Sequence, residues 1–478
     1  MVLLGIGSLA LVVSNRLPVW LALPALQIQS RLADWRLAPR PPSTGAAFGG
    51  LIALLTLLTL VAAFGCFVAA TRATFPGWLT RAARWLVIPV LLWSLFASIQ
   101  TVGALGRGLL TSATAWPPAY TSDEMYYNHY SALLVLHGVN PYTDANDHLI
   151  AAMTYFHIRG FTPIARGRFS DVSHTPTGAE MRAVAQEYRD HPDNPPPELD
   201  PRTLHSYPAG AFLVDIPSVW AGAPGMGFAQ ILLYIALSAV IIATAPADLR
   251  LALAVVIWAN PVLAQRIVNG DFDIWWLAAL IAAWMLSKRG ALSGALLGVA
   301  CAIKQTAWFA APFYFVWVWR AHGRAEALRR GGAAIAAFLV INLPWIILSP
   351  RAWLQSLLLP LSLPLLPDGS GLIALAQAGA GPLPPARVYT ALEMGVWLGA
   401  LAWFWWMRAR YPFAGLVLAL APLLVAWRSP ERYFLPLSLL ALAAVALTWR
   451  AGDPALQPRS HDEHSFPTSL ALWLRGRG

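Results

Sequence analysis

Twelve apolar runs, parted by short polar or basic stretches, leave this chain few ways to fold other than as helices in a lipid bilayer. They lie near residues 3–27, 46–71, 84–104, 208–222, 225–246, 249–264, 274–287, 291–319, 331–349, 388–407, 413–427 and 433–449. A helix needs about 20 apolar residues, usually about 17–25, to cross the hydrocarbon core. Several runs fall short of that, and the 29 residues from 291 to 319 suit two short helices that turn near Lys304 and Gln305. Eleven to thirteen spans are therefore expected, some short or broken. Composition agrees: 58% of residues are hydrophobic and 12% charged, against roughly 45–50% and about 25% in soluble domains. The expected class is an all-α, polytopic integral membrane protein.

The net charge of +10 could suggest a nucleic-acid partner, but the basic residues fall in short clusters between apolar runs, as the positive-inside bias requires. Lys288 and Arg289, the four arginines from Arg320 to Arg330, Arg408 with Arg410, and Arg450 are accordingly expected in the cytoplasm. The turn at 265–273, the stretch 350–387 and the turn at 428–432 then lie outside. Parity puts the loop at 105–206 outside only if residues 207–222 re-enter or lie in the interface. Asp215 and the prolines at 208, 217 and 224 favour that; Asp215 itself is expected to be a hydrogen-bonded structural acid. The divisions are residues 1–104, N-terminal helices; 105–207, an outer loop with an interfacial helix; 208–349, a central transmembrane module; 350–387, a second outer loop; 388–449, C-terminal helices; and 450–478, a cytoplasmic tail. No cleavable signal peptide is expected, since Met1 to Val13 lacks a basic flank. The 23 tryptophans cluster at segment ends, as interfacial anchors do.

The first outer loop is the chemically unusual part. Residues 121–206 hold 11 of the 23 acidic residues, seven of the ten histidines, six arginines and no lysine. Thr121 and Glu124 have the spacing of a capping box, and Gly138 suits the C′ position, which predicts a helix between them. Asp123 then sits in the first turn with no capping duty, where the helix dipole favours its ionised form. Such a carboxylate at a membrane surface can take a proton from a hydroxyl. The later stretch 190–198 is too rich in proline and charge for a packed core and is expected to be extended or mobile. Cys66 and Cys301 each lie in an apolar run and make neither a disulfide framework nor a CxxC pair. His129 and His137 are eight residues apart, and HxxxH and HExxH are absent, so neither a metal site nor any cofactor is expected.

The run Asp123-Glu124-Met-Tyr-Tyr-Asn-His-Tyr-Ser-Ala132 continuing to Gly138-Val-Asn140-Pro141-Tyr142 resembles the first outer loop of the glycosyltransferase C superfamily, in its bacterial mannosyltransferase-like branch. Ser206-Tyr207-Pro208-Ala209 is similar to that family's Tyr-Pro-Pro element, with Ala209 in place of the second proline. Asn260-Pro261, Asn269-Gly270-Asp271-Phe272-Asp273, Lys288-Arg289-Gly290 and Gly294 to Lys304 look like its central hairpin. The resemblance covers about residues 84–320.

It implies a multi-pass plasma-membrane glycosyltransferase that moves a hexose or pentose, a hexosyltransferase first, metal-independent and inverting, with its active site on the non-cytoplasmic face. A polyprenyl-phosphate sugar would be the donor, and a glycan, lipid or protein hydroxyl the acceptor. Asp123 would be the base, with Glu124 its neighbour and helix cap. Lys304 and Arg266 are the first candidates for the departing phosphate, and Arg428 and Arg432 are of interest as arginines on the outer side. Asp271 and Asp273, of which Asp271 has the position of a helix N-cap, could orient acceptor or loop. His129, His205 and Tyr207 are candidate substrate contacts. Two other classes fit the same residues: a lipid or sugar transporter or flippase, with broken helices and charges such as Asp215 and Lys304 along its path, and a non-catalytic assembly subunit.

Overall fold

The computed structural model describes residues 1–17, 42–112, 120, 123–143, 161–173, 176–191, 194, 196–199, 205–271 and 273–450. The principal helices are α1 (Val2–Leu17), α2 (Pro42–Ala70), α3 (Gly77–Ser112), α4 (Asp123–Leu136), α5 (Gly178–Asp190), α6 (Gly210–Trp220, interrupted at Val214 and Asp215) and α7 (Gly227–Thr244). They continue as α8 (Ala247–Val256), α9 (Pro261–Val268), α10 (Asp273–Met285), α11 (Gly290–Ile303), α12 (Thr306–His322), α13 (Arg324–Leu348), α14 (Pro350–Leu357), α15 (Ala386–Met407) and α16 (Leu437–Arg450).

Among the described residues five helices are long and apolar enough to cross a membrane, or up to seven if the bent pairs α8–α9 and α10–α11 each count as one. That is fewer than eleven to thirteen, because apolar runs such as Gly210–Trp220 and Gly415–Val425 form short helices. The bends have local causes. Asn260 breaks the first pair: its Oδ1 accepts from Leu263 N at 3.2 Å, and Pro261 follows at the first helical position. The expected turn near Lys304 is present, with Lys304 in extended backbone between α11 and α12.

The basic clusters share one end of the bundle. A side chain on Gly290 would meet Arg329 and Glu326, Arg320 lies over the Trp405 ring, Arg410 O accepts from Ala73 N, and Thr448 near the end of α16 donates to Thr71 O. At the opposite end, Gly227 abuts Ser112 and Val268, and Tyr207 lies under Lys304. The chain thus enters α6 and leaves it for α7 at the same end, so residues 207–226 turn back without crossing, as the parity argument requires. Gly294 and Gly298 let α11 approach α13 until their Cα atoms face the backbone of Arg330 and Ala334.

The described parts of the two segments expected outside, here called the outer segments, share a small core. Tyr126, Phe161, Phe169, Val184, Ala185, Tyr188, Leu199 and Leu366 are buried together. The helix α5 opens with a capping box of Thr177 and Glu180. The end of the stretch 190–198 corrects the expectation that it lacks a packed core: Glu198 is buried, as is Leu199 beside it, and Glu198 accepts from Arg168 N at 2.6 Å and from its Nε at 3.1 Å. The two outer segments are joined by a bridge between Ile164 and Leu365 and by Ala165 N donating to Pro364 O at 2.7 Å. A short parallel pairing of Asp368–Gly369 with Arg428–Ser429 extends the join.

Candidate functional site

The first turn of α4 places two carboxylates in different surroundings. Successive helical residues point about 100° apart, so Asp123 remains half-exposed while Glu124 turns into the protein. Asp123 Oδ1 accepts from Glu124 N at 3.0 Å, and its Oδ2 accepts from the Thr162 hydroxyl. An ionised carboxylate offers about four lone-pair positions, so Asp123 keeps acceptor capacity after both bonds. The far end of α4 closes as expected: Gly138 has φ 76°, Val139 N donates to Leu134 O at 2.8 Å and Gly138 N to Val135 O at 3.0 Å, a Schellman pattern. Thr121 lies outside the described residues, so the capping box with Glu124 does too.

Glu124 belongs to a buried ion cluster. Lys304 Nζ donates to Glu124 Oε1 at 2.7 Å and to Asp273 Oδ1 at 2.6 Å, and Asp273 Oδ1 also accepts from Trp276 Nε1 at 2.6 Å. The ammonium stands 5.8 Å from the Tyr207 ring centre and 5.7 Å from that of Tyr433. Three distant stretches supply these groups: the start of α4, the start of α10 and the α11–α12 break. Burial pushes the Glu124 carboxyl up to about 7, against the pull of Lys304 and with the added repulsion of Asp273. Arg432 adds a second positive charge near enough to act electrostatically on Glu124 and on Tyr126. Its guanidinium lies 5.8 Å from the Tyr433 ring centre. Asp271 Oδ1 accepts from Asp273 N at 3.2 Å, so it steadies the entrance to α10. Asp271, Asp273 and Arg432 face one narrow crevice with Leu263 and Ile267.

Seven of the expected residues are thus brought together: Asp123, Glu124, Tyr207, Asp271, Asp273, Lys304 and Arg432. The others are occupied elsewhere. Arg266 pairs with Glu431 at 2.7 Å. Arg428 donates to Leu366 O at 2.9 Å and reaches Asp368 at 3.5 Å, joining the two outer segments. His129 is buried, its Nδ1 2.7 Å from the Tyr120 hydroxyl, and burial pushes it down to about 4, so it is neutral near pH 7. His205 is buried too, its Nδ1 3.3 Å from Ser131 Oγ, and it packs edge-on against Phe212.

Thr162 and Tyr433 belong to the site although no role was assigned to them from sequence. Tyr433 directly follows the turn at 428–432, whereas nothing in the sequence links Thr162 to Asp123. Asp215 also departs from expectation: it is fully buried, and neither carboxyl oxygen has a hydrogen-bond partner among the described residues. Among the described residues no group of three His, Cys, Asp or Glu side chains is placed to hold a metal ion. Compared with family models, curated proteins and solved structures, the chain matches none.

Proposed function

We propose that the chain is a membrane glycosyltransferase that moves a sugar from a polyprenyl-phosphate donor to an acceptor hydroxyl at the end of the bundle away from the basic clusters. The observation that carries this reading is the division of labour in the first turn of α4: Asp123 is half-exposed with lone pairs to spare, while Glu124 is buried in an ion cluster that fixes the helix beneath it. Asp123 takes the acceptor proton as that oxygen attacks the anomeric carbon, and the sugar–phosphate bond breaks with the electron pair going to the phosphate. The leaving anion needs fixed positive charge. Lys304 and Arg432 are the positive charges of the cluster, so they carry this role together, with Arg266 reachable only after release from Glu431. Tyr207 and Tyr433 offer ring faces beside the reacting centre.

The test is transfer itself. Purified protein is incubated with labelled polyprenyl-phosphate mannose, glucose or arabinose and candidate acceptors, beside the Asp123→Asn variant. Loss of a general base predicts turnover lower by about 10²–10⁴-fold with donor binding retained. Equal turnover in both proteins, or no product from any donor, removes the proposal. One observation favours a transport reading: Asp215, a buried acid with no hydrogen-bond partner among the described residues, lies in the interruption of α6, as in a substrate pathway. Labelled lipid-linked sugar changing leaflets in sealed vesicles, with no covalent product, would support it.

A further inference from the structure

At the same end of the bundle as the ion cluster, but on the outside of α3, the helices α1, α3 and α9 enclose an open groove of about 760 Å³. Its floor is apolar, made by Val12, Ala104 and Val262, and Trp93 and Phe96 form a wall. Its rim is not. Arg16 comes from the last turn of α1, Arg107 from five residues before the end of α3, and Gln100 and Gln265 complete it. Among the described residues no acidic side chain lines the groove. Neither arginine forms an ion pair among the described residues, and both are exposed.

Arg107 lies within the spanning segment Arg81–Ser112, whose neighbouring Ile99 and Val102 are also exposed, so this surface faces lipid. That helix of 32 residues is longer than the hydrocarbon core of about 30 Å, so Arg107, five residues from its end, stands at head-group level, where bilayer phosphates lie. These two also stand away from the end that gathers the other basic clusters. Two unmatched guanidiniums above an apolar trough are complementary to a molecule with an anionic head and a hydrocarbon tail. A free inorganic anion would match the rim and leave the floor bare; a neutral lipid would do the reverse.

We propose that this groove binds an anionic phospholipid of the surrounding bilayer, its phosphate between Arg16 and Arg107 and one acyl chain along Val12, Ala104 and Val262. Guanidinium and phosphate make charge-assisted, two-point hydrogen bonds, and the Gln100 and Gln265 amides donate to the remaining head-group oxygens. This lipid is a resident of the fold and not a reactant, so the inference stands apart from the glycosyltransferase reading.

The experiment is native mass spectrometry of the full chain offered phosphatidylglycerol or phosphatidylcholine in equal amounts. The expected result is one retained phosphatidylglycerol, not displaced by excess inorganic phosphate. The Arg16→Gln/Arg107→Gln variant should bind it about 30-fold more weakly, from the loss of two charges at the lipid surface. Gly103→Leu leaves the charges in place and intrudes on the groove beside Arg107, so it should also lose the lipid. Arg81→Gln/Arg84→Gln, at the other end of α3, should keep it. Equal retention of the two lipids, displacement by phosphate alone, or unchanged binding in Gly103→Leu overturns the proposal. If the double arginine variant does not fold, the two lipids compared on the unaltered chain decide it.

Discussion

Lys304 carries one positive charge into a buried place that holds two negative ones. Removing it alone strands Glu124 and Asp273, and the loss of one member of a buried ion group costs about 3–5 kcal/mol. Lys304→Met should therefore lower the melting temperature sharply in detergent. Adding Glu124→Gln and Asp273→Asn to that variant removes the stranded charge and should restore most of the loss. A triple variant no more stable than the single one would show that the cluster is not held together as described. All three residues were marked by the sequence, but their pairing was not. Spacing along a helix shows which residues share a face; it carries no information about a partner 180 positions away. Lys304 was therefore expected at a phosphate and is found between carboxylates, and Thr162 gave no sign of its bond to Asp123.

At the scale of the element, glycine placement decides how closely helices approach. A Cβ on Gly298 of α11 would run into the Ala334 backbone on α13, and backbone cannot swing aside. The same atom on Gly399 of α15 meets nothing within 4 Å. Gly298→Ala should cost about 1–3 kcal/mol through overpacking, whereas Gly399→Ala should be neutral or gain up to about 1 kcal/mol of helix propensity. Thermal melts of the two variants check this, and equal behaviour would remove the close-packing argument. Elements were legible where one residue type forces the geometry. Gly138 ends α4 as its left-handed conformation requires, and the break at Lys304 followed from a run too long for one short helix and too short for two full spans. Residues 196–199 were misjudged because composition hid their neighbours: Leu199 finds its core in Phe161, Phe169 and Leu366, all remote in sequence.

Across the whole molecule, the basic clusters and the candidate site lie at opposite ends, the arrangement that charge asymmetry between loops predicts. With Cys66 and Cys301 replaced by alanine, a cysteine at exposed Ser170 should react with a membrane-impermeant maleimide on intact cells, and one at exposed Ala325 should react only after lysis. The reverse pattern would invert the topology and place Asp123 in the cytosol. The class was readable because hydrophobicity acts over whole segments. The number of spans was not, since an apolar run does not state whether it crosses or turns back, as residues 207–226 do. The seam between the two outer segments has a consequence for biosynthesis. Ile164 meets Leu365, which leaves the ribosome roughly 200 residues later, or about 10–40 s at ordinary elongation rates. Throughout that interval the small core around Phe161, Phe169 and Leu199 lacks the face that Leu366 closes, a client for whatever folding helper guards that compartment.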